Sequence, residues 1–273
     1  MAFVDVPETI TKREILAQPD ALAGALSAVD RQAHAMKGLW SKQAYRQVLF
    51  TGCGSTYYLS LAAARVFEDL TGVVSRAVPA GEFLLSPSTI PGVPAKPTLL
   101  VAISRSGTTS ETVRAVAAFA KAGAGDTISI TCQPGEGPRD LGGVCVNIPE
   151  AQEVSVAQTR AFSAMWLAVC AMSALLAGNG ALQAELRKTP GLSARVIDAV
   201  TDQATALGAD LSYDRIYYLG SHYRYGLASE GSLEMKEMTL THAEPFHFLE
   251  FRHGPKSMVT ESTVVAALAS DDA

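Results

Sequence analysis

The chain is poor in charge and has almost no cysteine chemistry. Charged residues make up 18% of its 273 positions and the net charge is −5 at pH 7. With no basic excess there is no electrostatic footprint for nucleic acid, and that partner is not expected. The four cysteines (Cys53, Cys132, Cys145, Cys170) form no C-x-x-C pair and no zinc spacing. They read as reduced, mostly buried thiols of a cytoplasmic protein. H-E-x-x-H is missing, so no metal is expected. Long apolar runs are missing too. The most apolar helix, near residues 161–177, is interrupted by Ser163 and Ser173, and no charged-then-apolar leader opens the chain. No membrane segment follows from such a pattern. A dinucleotide fingerprint also fails: after Gly52-Cys53-Gly54, position 57 is Tyr, and no acidic residue closes the next strand. No cofactor is expected.

The hydrophobic share, 48%, suits a compact α/β protein and argues against disorder. Residues 8–40 carry a helical pattern broken at Pro19. Gln47–Thr51, Val73–Pro79, Thr98–Ile103, Asp126–Cys132 and Val144–Ile148 read as strands. Helices are expected from Ser55 to about Leu70, from the Ser104–Thr112 segment to Ala122, over Ala157–Leu176 and over Ala181–Leu207. A short turn is expected at Gly81–Leu85, a proline-rich loop at Pro87–Pro97 and a further loop at Gln133–Gly143. Strands alternating with helices imply a doubly wound parallel sheet.

The pattern then restarts. A shift of 168 lays Gly52 on Gly220 and Glu82-Phe83 on Glu250-Phe251, and a shift of 165 lays Thr98–Ile103 on Thr263–Leu268. The expected organisation is a helical arm (1–46), a first α/β domain (47–208) and a second, shortened repeat of it (209–273). A sheet of so few strands needs a subunit or a further segment over its edge.

Three stretches carry chemistry. Ser104-Arg105-Ser106-Gly107-Thr108-Thr109 joins a buried strand to a helix, where free N–H groups, the helix dipole and several hydroxyls favour a phosphate. Ordinary N-capping is the alternative. Ser55 and Thr56, at the neighbouring strand end, can add donors to the same anion. Glu230, Glu234 and Glu237 stand at i, i+4 and i+7 on the helix after Gly220. If half buried they raise one another's pKa and furnish a base near neutral pH; a solvated acidic stripe is the alternative. His253, flanked by Gly254 and Pro255, must sit on a turn.

With Gly52–Tyr57, Ser104–Thr109, Glu153–Thr159, Glu230–Glu237 and His253–Pro255 in place, the chain resembles the sugar isomerase (SIS) family. That family includes the isomerase half of glutamine:fructose-6-phosphate amidotransferase, ketose/aldose isomerases and aminosugar-phosphate deaminases. The resemblance implies tandem SIS domains and a phosphosugar ligand held by Ser104, Arg105, Ser106, Thr109, Ser55 and Thr56. It makes Glu237 the proton-shuttling carboxylate, Glu230 its support and His253 the ring-opening group, offered across a homodimer so that two subunits share the site. Val156, Ala157 and Glu234 fall at sugar contacts. Two departures stand out: Glu234 replaces a frequent family Lys, and a family Lys further on has no counterpart before Ala273. No glutaminase domain or N-terminal Cys nucleophile is present either. The activity implied is aldose/ketose isomerisation or aminosugar-6-phosphate isomerisation and deamination by C1–C2 proton transfer. The rival is a phosphosugar sensor without catalysis.

Overall fold

The computed structural model describes residues 9–86, 97–135 and 141–270. The proline-rich stretch at 87–96 and part of the loop before residue 141 lie outside them. In chain order the elements are α1 (Ile10–Leu16), α2 (Gln18–Lys42), β1 (Gln47–Gly52), α3 (Ser55–Thr71), β2 (Ser75–Pro79) and α4 (Ala80–Leu85). They continue with β3 (Thr98–Ser104), α5 (Ser110–Lys121), β4 (Gly125–Thr131), β5 (Val144–Asn147), α6 (Arg160–Leu176), α7 (Gly180–Leu186) and α8 (Thr189–Gly208). The second series is β6 (Arg215–Leu219), α9 (Tyr223–Thr239), β7 (His242–Phe246) and β8 (Thr263–Ala267).

β1–β5 form one parallel sheet in the order β2-β1-β3-β4-β5. Alternate strand residues feed two cores because successive side chains leave a strand on opposite faces. Val48, Phe50, Val101, Ile128 and Ile130 pack under α2, α3 and α6. Leu49, Leu100 and Ala102 pack under α4 and α5 with Phe83, Val116 and Phe119. α6, with most of its length buried, is a core helix. Strand order reverses between β1 and β3, and in open α/β sheets ligands bind outside the strand ends at such a switch point. Thr51 is in register with Ala102, so the loops after β1 and β3 emerge side by side.

β6–β8 form a second parallel sheet in the order β7-β6-β8. Its pairing repeats the first. Val48↔Ser75 becomes Ile216↔Ala243 under the shift of 168, and Gln47↔Thr98 becomes Arg215↔Thr263 with Gln47 shifted by 168 and Thr98 by 165. α3 maps onto α9 residue for residue at both ends. The caps repeat as well. Gly54 (φ 55, ψ −127) and Gly72 (φ 70) bound α3, whereas His222 (φ 57, ψ −133) and Leu240 (φ 58) bound α9 in the same positive-φ conformations. Two ordinary side chains thus occupy backbone positions where glycine is preferred, evidence that the repeat geometry overrides local preference there.

The helix expected over Ala181–Leu207 is two, α7 and α8, because Pro190 in the first turn of α8 disfavours continuation from the preceding turn. The N-terminal break falls at Ala17, with Pro19 in the first turn of α2. β7 has no counterpart among the strands read from sequence. Pro245 interrupts its pattern and is tolerated because β7 is an edge strand.

Candidate functional site

α9 lies against α3, and Gly226 is the reason it can. A Cβ there would collide with the Ala62 backbone nitrogen and the Tyr58 carbonyl oxygen, both 2.6 Å away. This close approach turns the acidic face of α9 toward the loop after β1. Glu234 Oε1 accepts the backbone N–H of Gln158 at 3.0 Å and the Ser55 hydroxyl at 3.4 Å. The carboxylates of the second series therefore touch the glycine turn of the first.

Glu230 is buried, at 5% exposure, and neither of its oxygens accepts a hydrogen bond of normal geometry from the described residues. Burial, and then the charge of Glu234, push its carboxyl up to about 9. Burial also raises Glu234, against the opposing Gln158 N–H, and Glu237 adds to the rise. Burial and mutual repulsion raise both inner carboxyls, so ionising the two together is costly. Glu237, one turn further along α9, is exposed.

A pH experiment tests this electrostatic picture. A carboxyl raised in the fold contributes stability that is complete below its unfolded value of 4.5 and is lost as pH climbs toward 9. The loss is at most about 1.4 kcal/mol per pH unit. In Glu230→Gln the neutral form is permanent, so urea midpoints should vary less between pH 5 and 9 and exceed the wild type at pH 9. Parallel pH slopes would contradict the buried, protonated carboxyl.

The loop after β3 gathers its hydroxyls inward. Ser104 Oγ lies 3.2 Å from Thr109 Oγ1, which is 3.4 Å from Ser106 Oγ. Gly107 N–H donates to Ser104 Oγ, and Thr108 N–H donates to Ser106 Oγ. Gly107 takes φ 66 to make this turn. Thr109 holds the N-cap position of α5 but makes no capping hydrogen bond. The first N–H groups of a twelve-residue helix are therefore left without a side-chain cap beside a cluster of hydroxyls. Ser55 and Thr56 are buried at the adjoining turn, where Thr56 Oγ1 takes the Cys53 N–H at 2.9 Å.

Arg105 points elsewhere. Its Nη1 donates to the carbonyls of Ser155 and Val156, both at 3.0 Å, and lies 3.7 Å from Glu153. It ties the phosphate-type loop to the segment that holds Val156 and Ala157. Glu153 Oε1 in turn takes the N–H and hydroxyl of Thr159. The parts of Glu153 and of Gln158 are not readable from spacing, because backbone N–H groups leave no mark in a sequence. His253 sits on the turn after the 3-10 segment Glu250–Arg252 and is exposed. The structure brings Ser55, Glu230, Glu234 and the 153–159 segment together, with the hydroxyl loop bound to that segment through Arg105. Glu237 and His253 stand at the solvent side.

Among the described residues no helix is long and apolar enough to cross a membrane, and no group of three His, Cys, Asp or Glu is placed to hold a metal ion. Comparison with known proteins gives a consistent picture. Residues 43–175 match the SIS domain. The chain is 26% identical over 265 residues to glutamine–fructose-6-phosphate aminotransferase (isomerizing) of Aquifex aeolicus, covering 95% of this chain and 43% of that protein. Its counterpart in Corynebacterium diphtheriae is 30% identical over 229 residues, 80% of this chain and 36% of that protein. The chain thus spans less than half the length of these aminotransferases. Among solved structures, tagatose-6-phosphate ketose/aldose isomerase from Escherichia coli superposes with a TM-score of 0.85 at 25% identity, covering 95% of this chain and 72% of that one. Glucosamine-6-phosphate deaminase from Thermotoga maritima gives 0.78 at 26% identity, over 95% and 76%. The two-sheet architecture, the strand-end loops and these matches together identify a SIS domain at residues 43–175 of this chain.

Proposed function

We propose that this protein is a cytoplasmic, homodimeric aldose/ketose isomerase or aminosugar-6-phosphate isomerase/deaminase acting on a hexose or aminohexose phosphate. The observation that carries the reading is the meeting of Glu234 with Ser55 and the Gln158 N–H, which sets this α9 acid beside the loop after β1 at the switch point. The substrate phosphate is held by the Ser104–Thr109 hydroxyls and the uncapped start of α5, with Ser55 and Thr56 adjoining. His253, exposed on its turn, suits a group offered to the site of a second copy, where it opens the sugar ring by proton transfer.

Glu237 then takes the proton from C2 of the open-chain aldose, leaving an enediol or enolamine, and returns it to C1, while a second proton passes from the C2 hydroxyl or amine to O1. With a hydroxyl at C2 the product is a ketose. With an amine at C2 the product is an imine, to which water adds as ammonia leaves. Holding the phosphate keeps the C–H within reach of a modest base, which is where much of the acceleration arises. Backbone groups of Val156 and Ala157 line the sugar, and the raised Glu230–Glu234 pair keeps an extra negative charge away from the developing enolate.

The test is incubation with glucosamine 6-phosphate and with fructose 6-phosphate, following ammonia and the aldose/ketose ratio. Conversion of either supports the proposal. Binding without conversion supports a sensor instead. That rival draws on one observation: Glu234 already occupies the Ser55 hydroxyl and the Gln158 N–H.

A further inference from the structure

Glu14 is a carboxylate with no place in the chemistry above, and it is 4% exposed on a seven-residue helix at the edge of the fold. Burying a carboxylate is costly unless it is matched by hydrogen bonds. Here the match is the segment 154–155. Glu14 Oε1 accepts the Val154 N–H at 2.6 Å, and its two oxygens both lie 3.4 Å from the Ser155 nitrogen. One turn earlier, Thr11 Oγ1 is 2.8 Å from the Ser155 hydroxyl. On the opposite edge of the same peptide, Arg105 holds the Ser155 and Val156 carbonyls.

Polar contacts hold the segment, with Glu153 closing the loop on Thr159 from within. Val154 and Val156 are 80% and 83% exposed, so apolar burial does not fix it. Its position comes from an anion on its N–H side and a cation on its carbonyl side. Two residues after Val156, the Gln158 N–H meets Glu234. The chain of contacts therefore runs from the N-terminal helix, through a polar clamp, to the acid pair.

We infer that Glu14 is a positioning residue that, opposite Arg105, clamps residues 154–156 and so sets both the sugar-facing backbone and the Gln158–Glu234 hydrogen bond. The inference rests on the proposed phosphosugar site but concerns a residue outside it. The clamp acts on the sugar end of the site. It leaves the hydroxyls of the Ser104–Thr109 loop, bonded to one another, as they are.

The experiment compares wild type, Glu14→Gln and Glu14→Asp in two measurements on the full chain. The first is amide hydrogen exchange of residues 153–158 against β1. The second is calorimetric titration with glucosamine 6-phosphate and, separately, with inorganic phosphate. In Glu14→Gln, losing a charge-assisted acceptor should speed exchange of the segment and weaken glucosamine 6-phosphate roughly 10-fold each. Exchange in β1 and the affinity for inorganic phosphate should stay within about 2-fold, the scatter of contacts left intact. Glu14→Asp should recover part of both losses. If Glu14→Gln does not fold, Thr11→Val, which removes a single contact to Ser155, is read the same way with a smaller shift.

Unchanged segment exchange overturns the inference, and so does faster exchange with unaltered sugar-phosphate affinity. Equal weakening of inorganic phosphate also overturns it, because the effect would then be general. A wild type that binds inorganic phosphate but not the sugar phosphate defeats the functional reading itself, and this inference with it.

Discussion

Glu237→Gln is expected to lower turnover of the sugar phosphate by about 10²–10⁴-fold, the usual worth of a positioned general base. Binding of the same sugar phosphate should change by less than about 3-fold, because the amide keeps the shape and the anion is held elsewhere. Glu237 is exposed, one turn beyond the half-buried Glu234. The substitution therefore separates chemistry from folding more cleanly than a change at Glu230 would. Steady-state rates beside a calorimetric titration of the variant check it. A variant that turns over at the wild-type rate would remove Glu237 from the mechanism.

Ser106→Asp should do the reverse and abolish binding. The Ser106 hydroxyl sits within the Ser104–Thr109 cluster at the uncapped start of α5. A carboxylate there takes the N–H groups an anion would need. It also faces the phosphate with a like charge at a cost of about 1–4 kcal/mol. Losing a charge-assisted hydrogen bond adds roughly 1.5–3 kcal/mol, so affinity should fall by at least about 100-fold. Stability should change little, since an Asp side chain can still accept the Thr108 N–H that Ser106 Oγ takes. Titration with glucosamine 6-phosphate together with urea unfolding reads both effects. Undiminished affinity in a folded variant would place the phosphate elsewhere.

Much of this architecture is legible in the sequence because strand ends and glycine turns leave strong marks. Gly52 and Gly220 announce the two strand-to-helix turns, and the shifts of 168 and 165 coincide with the observed registers of both sheets. The spacing of Glu230, Glu234 and Glu237 anticipates one helical stripe, although its burial falls off along that stripe: Glu230 is buried and Glu237 exposed.

What is not legible is whatever depends on backbone groups or on tertiary override. Arg105 stands in a phosphate-type motif, yet its guanidinium reaches the carbonyls of a loop some fifty residues away. Glu14 reads as one more charge in an amphipathic arm until Val154 and Ser155 are seen donating to it. His222 and Leu240 give no hint that they adopt the positive φ of Gly54 and Gly72; only the repeat carries that information. β7 hides behind Pro245 for a similar reason, since local pattern penalises a residue that an edge strand tolerates.

A carboxylate on α9 that moves a proton between C1 and C2 of a phosphate-anchored sugar must expose that proton to exchange with solvent. Incubation with fructose 6-phosphate and with glucosamine 6-phosphate in heavy water, followed by proton NMR, tests it most directly. Deuterium should enter C1 or C2 with wild-type protein, and far more slowly with Glu237→Gln. Bound sugar phosphate whose C1 and C2 protons never exchange with solvent or change places would contradict it.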